Sequence, residues 1–271
     1  MIKKRFISML VLLAAVATGA MAQTTYKVSV KEGTEDATSW TIAPAEATTT
    51  GVAAGTTVTA TYSGTKKVKS VKAVKKASAS IPLDNTTTAW TAGTYAVPTG
   101  GLTYSDAITV SGDVTLTLTD GETLTLNKGI SLASGATLTI QGNGAMVVNG
   151  TNNSTASTVA GSGTLVLTSG TLTATGGNGG SVNGDFSSGG NGGDAINGSV
   201  IVSGGTLTAR GGNGGSVGNE IDTSTAGTGG DAISGTLTIN GGSTSVNDGS
   251  NGSIGSDCDN CTAGRGGKGH N

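Results

Sequence analysis

An internal repeat of 22 residues limits the folds open to this chain more than any other feature. Residues 107–127 align with residues 129–149 without a gap, and their apolar positions coincide. Each copy holds three short segments in which apolar and polar residues alternate, separated by Gly, Ser, Asp and Asn turns. Three strands in one such repeat predict one triangular turn, or rung, of a β-helix. The coinciding pairs are Ile108/Ile130, Val110/Leu132, Leu116/Leu138, Leu118/Ile140, Leu124/Met146 and Leu126/Val148.

A longer form of the same repeat follows. Residues 163–180, 198–215 and 235–252 align at offsets of 35 and then 37, and they keep the apolar columns. Leu, Ile and Val point inward and Thr mostly outward, so residues 107–271 predict an all-β, right-handed parallel β-helix with three strands per rung and about six rungs. The additional residues are expected to be loops that leave one corner of each long rung. The continuing columns are Leu165/Val200/Leu237, Leu167/Val202/Ile239, Leu172/Leu207/Thr244 and Ala174/Ala209/Val246.

The residues ahead of the rod divide into three parts. Residues 1–22 have a basic start, an apolar run and a small-x-small site ending at Ala22, which predicts a secretory signal peptide cleaved after Ala22. Residues 23–77 alternate in short β-type runs with Gly turns and predict a small antiparallel β-module. Residues 78–106 are expected to link this module to the rod and to cap the first rung. The protein is therefore expected to be exported, either secreted or held at the cell surface.

Charge and catalytic residue types exclude several function classes. Without the three basic residues of the leader, twelve basic side chains face seventeen acidic ones, which argues against nucleic acid as a partner. The single His is His270, and the basic groups of the rod are Lys128, Arg210, Arg265 and Lys268. These spacings assemble no nucleophile, base and orienting group, so we predict a protein that is not an enzyme.

One nine-residue stretch resembles the calcium-binding repeat of β-rolls. Residues 189–197 read G-G-x-G-x-D-x-U-x, with Asp194 as the acid. The nearest second copy lies 37 residues later and lacks the first Gly, whereas a β-roll needs tandem copies. Asp194 and Asp231 instead fall in one column at the entry to the third strand. Either a turn-capping ladder or a metal site is consistent with that column.

The long loops carry a second set of candidate metal ligands. Alignment of the loops stacks Asp185, Glu220 and Asp257, and it places Asp222 and Asp259 in a shorter column. Carboxylate oxygens of this kind suit calcium, which is the cofactor we expect if any is bound. The alternative is that these acids are solvated side chains.

Cys258 and Cys261 are the two cysteines, spaced C-x-x-C in the last loop. A structural zinc site would need four ligands, and His270 is the one further candidate nearby. An exported chain favours a disulfide instead, so we predict a local bridge that holds the last loop.

Two stretches resemble known families. The run SGDVTLTLTDGETLTLNKGISLASGATLTIQGNG, with the later SGTLTATGGNGG and GGDAI, resembles the glycine-rich right-handed β-helix surface proteins secreted by anaerobic bacteria, which include carbohydrate-binding and adhesin-like members. Residues 25–77, with TYSGTKKVKSVKAVKK, resemble the divergent B-repeat modules of bacterial surface proteins. The resemblance implies non-catalytic binding of a polysaccharide or of a host or cell-surface glycan.

A structural role is the competing interpretation. The third long copy stops just short of the next inward strand, so its rung has no obvious cap. An uncovered rung is an edge that invites pairing, and this predicts a homo-oligomer formed through the open C-terminal rung. In that case the chain would be a structural adhesin or a self-assembling surface subunit.

Overall fold

The computed structural model describes residues 80–218, 223–258 and 260–267, together with seven strands nearer the N-terminus. The chain divides into two compact units, Met1–Ala79 and Ser80–Asn271. In the first unit, antiparallel pairing joins the strands in the orders β1-β6-β4 and β3-β2-β5, with β7 also on β2. Strand β1 lies within the predicted leader, whose cleavage stays a prediction. The seven strands are β1 (Ile7–Leu12), β2 (Thr25–Glu32), β3 (Glu35–Asp36), β4 (Trp40–Ala43), β5 (Val52–Ala53), β6 (Thr57–Tyr62) and β7 (Ser70–Lys75).

The second unit is a parallel β-helix, which confirms the predicted fold. Its chain visits three parallel sheets in the same cyclic order, and the strands of each sheet stack on one another. Sheet one contains β8 (Ile81–Pro82), β10 (Gly93–Ala96), β13 (Asp113–Leu118), β16 (Thr137–Gly142), β19 (Thr164–Leu167), β21 (Ser199–Val202) and β23 (Thr236–Ile239). Sheet two contains β11 (Leu102–Tyr104), β14 (Thr123–Leu126), β17 (Ala145–Asn149), β20 (Thr171–Thr175), β22 (Thr206–Arg210) and β24 (Ser243–Asn247). Sheet three contains β9 (Ala89–Trp90), β12 (Ile108–Val110), β15 (Ile130–Leu132) and β18 (Val159–Gly161), and bridges at Ile196 and Ile233 continue it.

The apolar columns fill the interior of the β-helix as predicted. Leu165, Val200 and Leu237 are in register, and so are Leu172, Leu207 and Thr244. The inward residues of β13 to β22 are almost completely buried. Their burial removes a large apolar area from water, which is the main term that stabilises the rod.

The register of one sheet differs from the gapless 22-residue alignment. Leu116 lies opposite Ile140 and Val114 opposite Leu138, an offset of 24, whereas the sequence alignment paired Leu116 with Leu138 and Leu118 with Ile140. The corner before β13 has two residues and the corner before β16 has four, and the next corner compensates. A shift of two residues keeps every side chain on the same face, so the hydrophobic pattern could not reveal it.

Residues 80–106 form more than a linker and cap, because they make the first complete turn of the β-helix. Strands β9, β10 and β11 pair with β12, β13 and β14. The rings of Trp90, Tyr95 and Tyr104 fill this turn, with Trp90 0% exposed. Burial raises the pKa of the Tyr104 phenol above its ordinary value, and the nearby Trp90 indole N–H offsets only part of that effect. Three aromatic rings thus fill the core at its N-terminal end.

The long segments are expected from the sequence to be loops, but their hydrogen bonds repeat regularly, as in a polyproline II helix. The N–H groups of Gly176, Gly179 and Val182 donate to the carbonyls of Arg210, Asn213 and Ser216, with donor–acceptor distances of 2.8–2.9 Å. Bonds from every third residue to one neighbouring segment are typical of the polyproline II helix, which has three residues per turn and no internal hydrogen bonds. Within the described part of the chain, six such segments form the glycine bundle, at residues 176–182, 189–195, 211–217, 226–231, 248–254 and 263–267.

Each of the three long rungs contributes one layer to the glycine bundle. An outbound segment leaves the β-helix after sheet two, and a return segment leads back to sheet three. The N–H groups of Gly190 and Gly193 join the return segment to the outbound segment of the same layer, and those of Gly212 and Gly215 join the next layer to it. The bundle is therefore hydrogen-bonded in two directions.

A repeating three-residue pattern explains why these segments form the bundle. The second residue of every described triplet is Gly. At each of these positions except Gly180, where a Cβ would meet the Asn153 side chain, a Cβ would overlap a neighbouring backbone. At Gly212, for example, it would overlap the carbonyl oxygen of Gly177. The third residue is polar and lies on the bundle surface. Glycine thus permits close backbone approach, while polar residues interact with the solvent.

Candidate functional site

A groove on the bundle is the candidate site. It has a volume of about 580 Å³ and crosses the return segments of all three layers. Gly and Ala form its floor, so a ligand could approach the backbone closely. Two columns of polar residues, one helical turn apart, line this bundle groove. The first column is Ser188, Thr225 and Thr262, and the second is Asn191, Thr228 and Arg265.

Ladders of side-chain oxygens hold the groove walls in place. The Asn191 Oδ1 accepts a 2.9 Å hydrogen bond from the Thr228 N–H in the next layer. Asn191 is itself exposed in the lining of the groove. Asn178 makes the same bond to the Asn213 N–H, at 2.8 Å, on the outbound segments. Because stacked layers lie about 4.8 Å apart, the polar residues of each column recur at about that interval along the stack.

Asp194 is a member of one of these ladders. Its Oδ1 accepts a 2.8 Å hydrogen bond from the Asp231 N–H. The two residues are 37 positions apart on neighbouring rungs, so the nine-residue stretch around Asp194 is not a β-roll turn. The bond has the geometry of the turn-capping alternative.

Two of the candidate calcium ligands, Asp185 and Asp257, lie near the outer tips of the bundle. Asp185 and Asp257 are exposed. The other three candidates, Glu220, Asp222 and Asp259, lie outside the described residues. Among the residues that the structure describes, no group of three His, Cys, Asp or Glu side chains could hold a metal ion.

The tips differ in length, and this bears on which acids correspond. Five residues separate Val182 from Ser188, whereas seven separate Val217 from Thr225, and these four residues are partners across layers. Counting from the outbound side pairs position 185 with 220, and counting from the return side pairs it with 222. The alignment that stacked Asp185 with Glu220 used only the first of these counts.

The two cysteines lie at the tip of the last described layer. A disulfide joins Cys258 to Cys261, with their Cα atoms 5.7 Å apart. Both pack against a small apolar cluster formed by Val182, Val217, Ala226 and Ile254. The bridge thus lies beside a second, minor core at the outer end of the bundle.

The sequence reasoning missed the groove residues because it treated the long segments as loops. A signal was nevertheless present, since G-G-x triplets recur with a period of three in GGNGGS and GGNGGD. That period matches the three residues per turn of polyproline II. It differs from the periods of 2 and 3.6 that indicate strands and α-helices.

Comparisons with known proteins assign no family to this chain. Among the described residues no helix is long and apolar enough to cross a membrane. Neither a family model, nor a curated protein, nor a solved structure matches the chain.

Proposed function

We propose that this protein is exported and binds an extended polysaccharide, such as a cell-surface glycan, without catalysing a reaction on it. The bundle groove is the observation that carries this proposal. Hydroxyl, amide and guanidinium groups line it in two columns that repeat in each layer. An extended polymer of hydroxyl groups can meet such a repeated pattern at several successive units, so that weak hydrogen bonds add up.

The chemistry of the groove supports binding to a neutral or acidic glycan. Its charged side chain is Arg265, which is exposed and able to donate in a fork to a carboxylate or to sugar hydroxyls. None of the described residues that line the groove carries a carboxylate. A glycosidase mechanism would need two carboxylates, whereas the proposed binding needs none.

Binding is tested with a groove variant and a matched control. A glycan that the wild-type protein binds on an array serves as the ligand. We expect the double variant Asn191→Ala/Arg265→Ala to bind this glycan about tenfold more weakly, because it removes hydrogen-bond donors from the groove. The control, Asn178→Ala/Asn213→Ala, removes equivalent ladder residues from the outbound face and is expected to bind normally. A glycan array would identify the ligand, and calorimetry would measure the affinities. Equal losses in both variants, or no retained glycan, would contradict the proposal.

Self-assembly is a second candidate, and the last described rung favours it. Ile239 is 54% exposed, although Val202 in the same column is 0% exposed. Strands β23 and β24 are also the edges of their sheets. Pairing through the glycine bundle is less favourable than pairing through the β-helix. In the last layer, Asp248 and Asn251 replace the glycines that occupy equivalent positions in earlier layers, and their side chains hinder close backbone approach. Pairing would therefore involve the β-helix edge.

Sedimentation velocity over a range of concentrations tests this candidate. If the edge pairs with a second copy, the wild-type protein forms larger species as concentration rises, and Ile239→Asp abolishes them by placing a charge in the contact. A monomer at all concentrations would exclude assembly through this rung.

A further inference from the structure

We propose that Phe186 is an aromatic contact for the apolar face of a sugar ring at the rim of the bundle groove. This inference rests on the proposed function and names the part of the ligand that a purely polar groove would leave unbound. The backbone conformation, the exposure and the position of Phe186 support this role.

The backbone of Phe186 is in a conformation that its side chain disfavours. Its φ is +55°, in the left-handed region. The residues 37 and 74 positions later, Thr223 and Asn260, have φ values of +49° and +57°, so each tip makes the same turn. Asn tolerates this region well, whereas a bulky aromatic residue there is an outlier. Phe186 therefore does not serve the turn, which a smaller residue would form with less strain.

The side chain of Phe186 contributes little to the core. It is 78% exposed, the most exposed of the large apolar side chains that the structure describes. It belongs to neither of the two apolar clusters described for residues 80–267, the β-helix core and the small cluster beside the disulfide. A strained residue whose side chain projects into solvent is better explained by a contact outside the protein than by packing.

The surroundings of Phe186 suit a sugar more than an apolar partner. It lies two residues before Ser188, the first residue of the groove wall, and its exposed neighbours Asn183 and Asp185 are polar. One flat apolar ring bordered by hydrogen-bonding groups matches a pyranose, which has C–H groups on its faces and hydroxyls at its edge. A protein or lipid partner would need a wider apolar patch.

Phe186→Gly separates a binding role from a structural one. Gly adopts positive φ freely, so this variant should melt at the same temperature as the wild-type protein or higher. Its affinity for the glycan retained by the wild-type protein should fall about tenfold, and Phe186→Tyr should keep the affinity because it keeps the ring. Thr223→Gly is the matched control, with the same backbone relief one layer away and no expected change in binding.

The outcomes distinguish this inference from the proposed function. Normal glycan binding by Phe186→Gly, with weakened binding by the Asn191→Ala/Arg265→Ala variant, would overturn the inference and leave the function standing. A lower melting temperature for Phe186→Gly would assign the ring a packing role and would also overturn the inference. A wild-type protein that retains no glycan would overturn both.

Discussion

Gly212→Ala is expected to lower the free energy of unfolding by about 3 kcal/mol, the upper part of the range for overpacking a tight interior. The added Cβ would overlap the carbonyl oxygen of Gly177, which belongs to the layer below. That carbonyl cannot move freely, because it accepts a 2.8 Å hydrogen bond from the Gly193 N–H. Gly212 is held as well, since its own N–H donates to the Gly193 carbonyl at 2.9 Å. The strain must therefore separate two layers of the bundle.

Chemical denaturation followed by circular dichroism would measure this loss, and limited trypsin digestion would locate it. Arg210 directly precedes the outbound segment that contains Gly212, so opening of the bundle should speed cleavage there. Gly184→Ala is the matched control, because its nearest neighbour would be the Ser187 Oγ at 3.4 Å, an ordinary contact. Equal stability of the two variants would mean that the layers are not packed backbone to backbone.

Val202→Asp should prevent the β-helix from folding. Val202 is 0% exposed and lies in an apolar column between Leu167 and Ile239. A carboxylate in that column would lose its hydration and find no cation. Burying an unpaired polar group or charge costs several kcal/mol, which is comparable to the whole stability of a typical domain. The expected result is insoluble protein, or soluble protein without the circular dichroism of a β-structure.

Ile239→Asp makes the same chemical change one rung later and serves as the control. More than half of the Ile239 side chain is already exposed, so the new carboxylate stays hydrated and the variant should fold. Soluble, folded Val202→Asp would contradict the position of this column inside the rod. Failure of Ile239→Asp to fold would show instead that another layer covers the last described rung.

The β-helix was predictable because its core follows a period that the side chains display. Ile108/Ile130 and Leu124/Met146 lie opposite each other as the repeat predicts. The offset of 24 between β13 and β16 was not predictable, because a two-residue shift preserves the inward and outward faces. Only the lengths of the corners, set by turn geometry, distinguish the two registers.

The candidate site was less predictable than the fold. Asp194 attracted attention as a metal ligand because the letters around it match a calcium repeat, yet its carboxylate accepts a backbone N–H from the next rung. Ser188, Asn191 and Arg265 could not be predicted as site residues, because nothing in the local sequence indicates that they share a groove. A prediction from residue types finds unusual side chains, whereas a site made of ordinary ones emerges when layers stack.

The amino-acid sequence by itself determined the β-helix, its three-strand rung and the place where each long segment leaves it. These features follow from apolar periodicity and turn residues, both of which are local. The tertiary structure alone decided that the glycine-rich segments form a bundle, since each polyproline II helix makes all its backbone hydrogen bonds with neighbours. It also decided that Phe186 projects from a strained tip. Both depend on contacts between layers from distant parts of the chain, whereas the local G-G-x period indicates only the polyproline II helix of a single segment.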